Sequence, residues 1–129
     1  MKILALIIPF AAVAVCNASS ASAEQAPPQA FRGEWNSRTE CGRPDGESRL
    51  IIADDSLEFY ESAGPILGAF SNDPHEVLIV ANTSGEGETS IEAYRFRLSD
   101  DGQILSQLSE SSEPFNRYRC PTTKTPRRP

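Results

Sequence analysis

From residue 31 onward apolar residues recur at alternate positions in short runs, and clusters of Gly, Pro, Asp and Asn separate the runs. Period two marks a strand with one buried face. The first such run is Phe31 to Arg38, carrying Trp35, and the second is Ser48 to Ala53. In Ser56 to Glu61, Leu57 and Phe59 share a face, and Ala63-Gly64-Pro65 is expected to break the strand before a short run from Ile66 to Phe70. Glu76 to Ala81 is β-branched and apolar, as expected of a central strand. Thr89 to Leu98 alternates well: Tyr94, Phe96 and Leu98 face one way with Glu92, and Arg95 and Arg97 face the other. Gln103 to Leu108 and Phe115 to Cys120 complete the set.

Between these runs stand turn signals: Arg43-Pro44-Asp45-Gly46, Asp54-Asp55, Asn72-Asp73-Pro74, Ser84-Gly85-Glu86-Gly87 and Asp100-Asp101-Gly102. The last carries the Asp-Gly pair favoured in tight hairpins. Helical periodicity is almost absent, so no segment serves as the crossover of a parallel sheet. The expectation is an all-β fold of about eight short antiparallel strands, either a small meander barrel or a compact sandwich. Closure into a barrel would also remove exposed sheet edges.

The start of the chain follows a different pattern. Met1-Lys2 is positive, Ile3 to Val15 is apolar with one interruption at Pro9, and small residues lead to Ala21-Ser22-Ala23. That order is the order of a secretory signal peptide. The apolar run is shorter than the roughly 20 helical residues that span a bilayer. Residues 1–23 are therefore expected to be removed after Ala23, placing the protein in the periplasm or outside the cell. Lipidation at Cys16 is the alternative, but Val13-Ala14-Val15 before it is a poor match to a lipoprotein signal. The remainder divides into a flexible leader at 24–30 with Pro27-Pro28, a folded domain at 31–120, and a disordered basic tail at 121–129.

Charge and cysteine usage narrow the classes. The chain has 12 basic and 18 acidic side chains, a formal net charge of −6. Lys2 leaves with the signal, which widens the imbalance. An acidic domain lacks the basic field that phosphate backbones require, so nucleic acid is not expected as a partner. With Cys16 removed, Cys41 and Cys120 remain, an even count in an oxidising compartment, and a disulfide between them is expected. There is no Cys-x-x-Cys, and the single His75 is poor company for a zinc site, so neither metal nor cofactor is expected. Asp100-Asp101-Gly102 lacks the alternating oxygen ligands of a calcium loop. No Gly-x-Ser-x-Gly elbow accompanies His75. Glu58 and Glu61 fall on opposite faces of a strand and do not form an acid–base pair.

Two features stand out as candidate sites. Phe59 and Tyr60, followed by Gly64-Pro65, place an aromatic pair at a strand end and form a candidate binding edge. Gly33-Glu34-Trp35 on the first strand, with Arg117 or Arg119 on the last, resembles the calycin (lipocalin-like) pattern. That resemblance implies a barrel whose narrow end is closed by Gly33 and Trp35, with a late arginine packed across the indole. The leader, Gly33-Glu34-Trp35 and Cys41 are also similar to the small bacterial inhibitors of serralysin-type metalloproteases. In that family the leader enters the protease cleft, but the cysteine pairs early in the chain, whereas here its partner is Cys120.

The functional expectation is an exported, non-enzymatic barrel that binds an extracytoplasmic protein partner, as an enzyme inhibitor in one form. The alternatives are a carrier of a small apolar ligand and a hydrolase of unrecognised type.

Overall fold

The computed structural model describes residues 9–15 and 26–122. The expected signal peptide and its cleavage point, Cys16, and most of the basic tail lie outside the described residues. No helix among the described residues is long and apolar enough to cross a membrane.

The chain forms a closed antiparallel barrel in which sequential strands are neighbours and the last pairs with the first. The strands are β1 (Gly33–Asn36), β2 (Leu50–Ile52), β3 (Ser56–Phe59), β4 (Ala63–Asp73), β5 (Glu76–Gly85), β6 (Glu88–Leu98), β7 (Ile104–Leu108) and β8 (Phe115–Arg119). The barrel resolves the choice that alternation alone left open against a sandwich. Its interior is filled by the expected inward positions: Trp35, Leu50, Ile52, Leu57, Val77, Ile79, Phe96 and Leu105 are fully buried.

The seam between the first and last strands is the shortest ladder, with only Trp35 opposite Arg119 and Asn36 opposite Tyr118. Residues 37–49 fold back over its outer side. Asn36 is buried there, donating to the Glu40 carbonyl at 2.8 Å, while the Arg38 guanidinium lies 4.0 Å from the Tyr118 ring centre. A Cys41–Cys120 disulfide, with Cα atoms 5.3 Å apart, pins this loop to the end of β8. The sulfur link expected from the cysteine count is thus present, and it fits an oxidising compartment.

Three local readings of the sequence differ from the structure. Ala63-Gly64-Pro65 does not interrupt a strand; it begins β4, an 11-residue strand. Proline is tolerated because Ile66 N–H, one residue on, donates to the Asp55 carbonyl at 2.8 Å and carries the pairing past it. Gly64 is required because its backbone presses on β5, where a Cβ would sit 1.8 Å from the Asn82 carbonyl oxygen. The Ser84–Gly87 turn is shorter than expected: Gly85 pairs with Glu88, leaving only Glu86 and Gly87 at the tip. Both have positive φ, 50° and 80°, which suits the twist of a two-residue hairpin. Finally, the leader expected at 24–30 is not all free of the fold. Pro27 is buried, Gln29–Phe31 makes a 3-10 turn, and Arg32 Nε donates to the Pro27 carbonyl at 2.9 Å.

Two expected outcomes follow from this architecture. The disulfide closes a separation of 79 residues. Replacing both cysteines by alanine should cost about 4.5 kcal/mol on the chain-entropy estimate, read as a drop in the denaturant midpoint with a steeper slope, because the unfolded chain freed of its cross-link exposes more surface. Gly64→Ala should cost about 3 kcal/mol or more because backbone, not a yielding side chain, blocks the new methyl. Gly87→Ala, which meets nothing within 4 Å, should cost only about 1 kcal/mol for its left-handed backbone. Equal losses in the two variants would contradict this account.

Candidate functional site

The two ends of the barrel differ in chemistry. At the base, Trp35 is buried and its indole N–H donates to the Phe31 carbonyl at 2.9 Å. The Arg119 guanidinium lies 4.2 Å from the indole centre. Its donors reach three backbone carbonyls, those of Gly102 (3.0 Å), Arg32 (3.0 Å) and Ala30 (2.5 Å). One side chain therefore ties together β8, the β6–β7 turn and the segment before β1. Gly33 has φ +126°, a conformation that side chains rarely adopt, and this lets the chain turn into β1 beneath that guanidinium. Gly33, Trp35 and Arg119 thus meet at the base of the barrel.

Arg117 does not join them. Two residues earlier on β8 it points into the barrel at the other end, the mouth. There it is 6% exposed. Its Nε donates to the Ser48 carbonyl at 2.7 Å and its Nη1 to Gln107 Oε1 at 2.8 Å. The Phe115 ring centre is 4.7 Å away and that of Phe59 is 5.8 Å. Burial pushes its pKa down to about 10, which leaves it protonated at neutral pH.

The mouth carries a shallow, open recess of about 540 Å³ lined by Glu47, Phe59, Tyr60, Glu61, Ser62, Tyr94, Gln107 and Arg117. Phe59 and Tyr94 tilt against each other with centres 4.9 Å apart, and the Tyr94 hydroxyl is 3.3 Å from Thr83 Oγ1. A second recess of about 410 Å³ shares Glu61, Ser62 and Tyr94 and adds Glu86, Glu88 and Glu92. Of the expected binding edge, Phe59 and Tyr60 line the first recess. Gly64 is packed on Asn82, and Pro65 is exposed opposite Ser56 on β3. Tyr94 and Gln107 were not singled out by sequence reading. Gln107 carries a signal nonetheless, a polar residue at an inward position two after Leu105.

The remaining charged candidates sit elsewhere. Arg95 and Arg97, on the outer face of β6, both pair with Glu76; their hydrogen bonds and charge, Arg97 foremost, hold its carboxyl below the usual carboxylate range. His75 lies at the base in the β4–β5 turn, its nitrogens 3.6 Å from Asp73 and 3.7 Å from Asp100. Asp101 is spent on its turn, accepting from Ser99 Oγ and from the Gln103 N–H. Among the described residues no group of three His, Cys, Asp or Glu side chains is arranged to hold a metal.

Compared with known proteins, the chain matches no family model, no curated protein and no solved structure. The closed eight-strand barrel is consistent with the calycin-like resemblance.

Arg119→Ala removes three bonds from a charged group and a cation–π contact, and should cost about 2–4 kcal/mol. Trp35 is the only tryptophan, so loosening of the base should appear as red-shifted intrinsic fluorescence under native conditions. An unchanged spectrum and midpoint would contradict the closure role.

Proposed function

We propose that the chain is an exported, non-enzymatic binding protein whose recognition surface is the mouth of the barrel. One observation carries this reading: the barrel is plugged at its base by Phe31, Trp35 and Arg119, while its mouth opens on a recess of about 540 Å³ with aromatic walls and a buried cation in its floor. Concave, mostly apolar sites with a few convergent polar groups are where ligands are held. Export is supported by the signal-like start of the chain and by the disulfide. In this reading the fold is a small calycin-like barrel, with Gly33, Trp35 and Arg119 in the closure roles.

Two related readings have less support. A carrier with a deep apolar cavity needs an interior that is empty, and here Trp35, Phe96, Leu50, Ile79 and Leu105 fill it. An inhibitor that inserts its leader needs that segment free, and residues from Pro27 to Phe31 are docked on the barrel. A partner protein would therefore meet the rim of the mouth, where Tyr60 is 44% exposed.

Fragment titration monitored by NMR of the backbone and of the tyrosine and arginine side chains tests the location. Bound fragments should perturb Tyr60, Tyr94 and Arg117 while leaving His75 and Trp35 unmoved. Perturbations confined to the base, or to the outer wall of β4 and β5, would overturn the proposal.

A further inference from the structure

Arg117 is the most buried guanidinium of the barrel. Arg49, Arg95 and Arg97 on the outer face find carboxylates, Glu58 for the first and Glu76 for the other two, and Arg119 at the base binds three backbone carbonyls. Arg117 is more buried than any of these, yet among the described residues no carboxylate lies within 4.0 Å of it. Its two hydrogen bonds go to neutral oxygens, a backbone carbonyl and an amide. Burial alone lowers its pKa, with no acidic neighbour opposing it. A desolvated charge is costly unless it is paired.

The guanidinium also has donors to spare. Nη2 makes no hydrogen bond to the described residues, and no buried side-chain nitrogen among them is left unsatisfied. Nη2 is therefore not fully buried, and Arg117 lines the mouth recess. A planar, forked donor of this kind suits a carboxylate better than a point charge would.

The rim has the opposite sign. Glu47 and Glu61 line the recess of Arg117, Glu61 also lines the adjoining one with Glu86, Glu88 and Glu92, and Tyr94 stands at the boundary. This rim repels polyanions, which would bring several negative charges past it to reach a single cation. It favours a ligand that is negative at its inner end and positive at its outer end. Between the two poles stand the rings of Phe59, Tyr60 and Tyr94, which suit an apolar or aromatic body.

Resting on the reading of the mouth as the recognition surface, we infer that the mouth binds a zwitterion. Its carboxylate meets Arg117, its apolar body lies among Phe59, Tyr60 and Tyr94, and its cationic group faces the glutamates of the rim. Two sources carry this chemistry: a free amino acid, and the carboxyl terminus of a peptide with a basic residue upstream.

The test is calorimetric titration of the oxidised protein with four probes: the dipeptide Lys-Phe, its carboxamide, Glu-Phe and free phenylalanine. Lys-Phe should bind, and amidation should weaken it about tenfold or more because the buried guanidinium is left unpaired. Glu-Phe should bind more weakly than Lys-Phe, and the difference should shrink in high salt. Tighter binding of Lys-Phe than of phenylalanine assigns the peptide terminus, and equal binding assigns the free amino acid. Arg117→Gln should abolish the preference for carboxylate over carboxamide. Should that variant not fold, the exposed-rim triple variant Glu61→Gln, Glu86→Gln, Glu92→Gln should remove the Lys-Phe preference over Glu-Phe. Equal affinity for acid and amide, or no binding of any carboxylate probe at millimolar concentration, overturns the ligand class. Fragments that still map to the mouth in the NMR titration would then leave the recognition surface standing, whereas fragments mapping elsewhere would remove both.

Discussion

Joining β1 to β8 is the condition for everything else in this molecule. A meander of eight strands has two free edges until its ends meet, and here they meet over only two register pairs, Trp35 with Arg119 and Asn36 with Tyr118. Backbone pairing of that length is too little to hold a twisted sheet closed. The seam is instead clamped from both sides. Inside, the Arg119 guanidinium lies on the indole and binds three carbonyls from separate parts of the chain. Outside, residues 37–49 cover Asn36 and Tyr118, and the disulfide fastens that cover to β8. These contacts join residues far apart in sequence, so their loop-closure entropy must be offset before they form.

The clamp explains why the two ends of the barrel have such different character. The base carries the large buried rings, Phe31, Trp35 and Phe96, and a guanidinium whose bonds go to backbone. The mouth is left with a cation that has no carboxylate within 4.0 Å among the described residues, and with a rim of glutamates. A domain optimised for stability alone would place an aliphatic side chain at 117. Departures from that local rule are expected where a surface meets something else.

Much of the fold was legible because alternation is a robust signal. Each of the eight strands overlaps an expected run, and the Cys41–Cys120 pair follows from counting. What was hidden depended on a second chain segment. Gly64 and Pro65 read as a break because the sequence does not display the close approach of Asn82 that makes glycine necessary there. The docking of Pro27 was hidden in the same way: a proline-rich segment of low hydropathy was anchored by Arg32 and by the indole bond to Phe31. The resemblance offered Arg117 or Arg119 for the base without distinguishing them, because the sequence does not display that two residues along β8 separate the base from the mouth. Phe59 and Tyr60 were visible as an aromatic pair, while Tyr94 and Gln107 joined them only through register across β6 and β7.

The sulfur link between Cys41 and Cys120 has a consequence beyond the seam. It makes the domain a covalent ring interrupted only by its two ends, with the exposed tip Glu86-Gly87 roughly midway round. A protease that cut that tip would leave two polypeptides still tied together, one ending in β5 and the other beginning with β6. The ten register pairs between those strands would continue to align them. Nicked molecules would therefore keep their shape as two-chain proteins until a reductant opened the sulfur link.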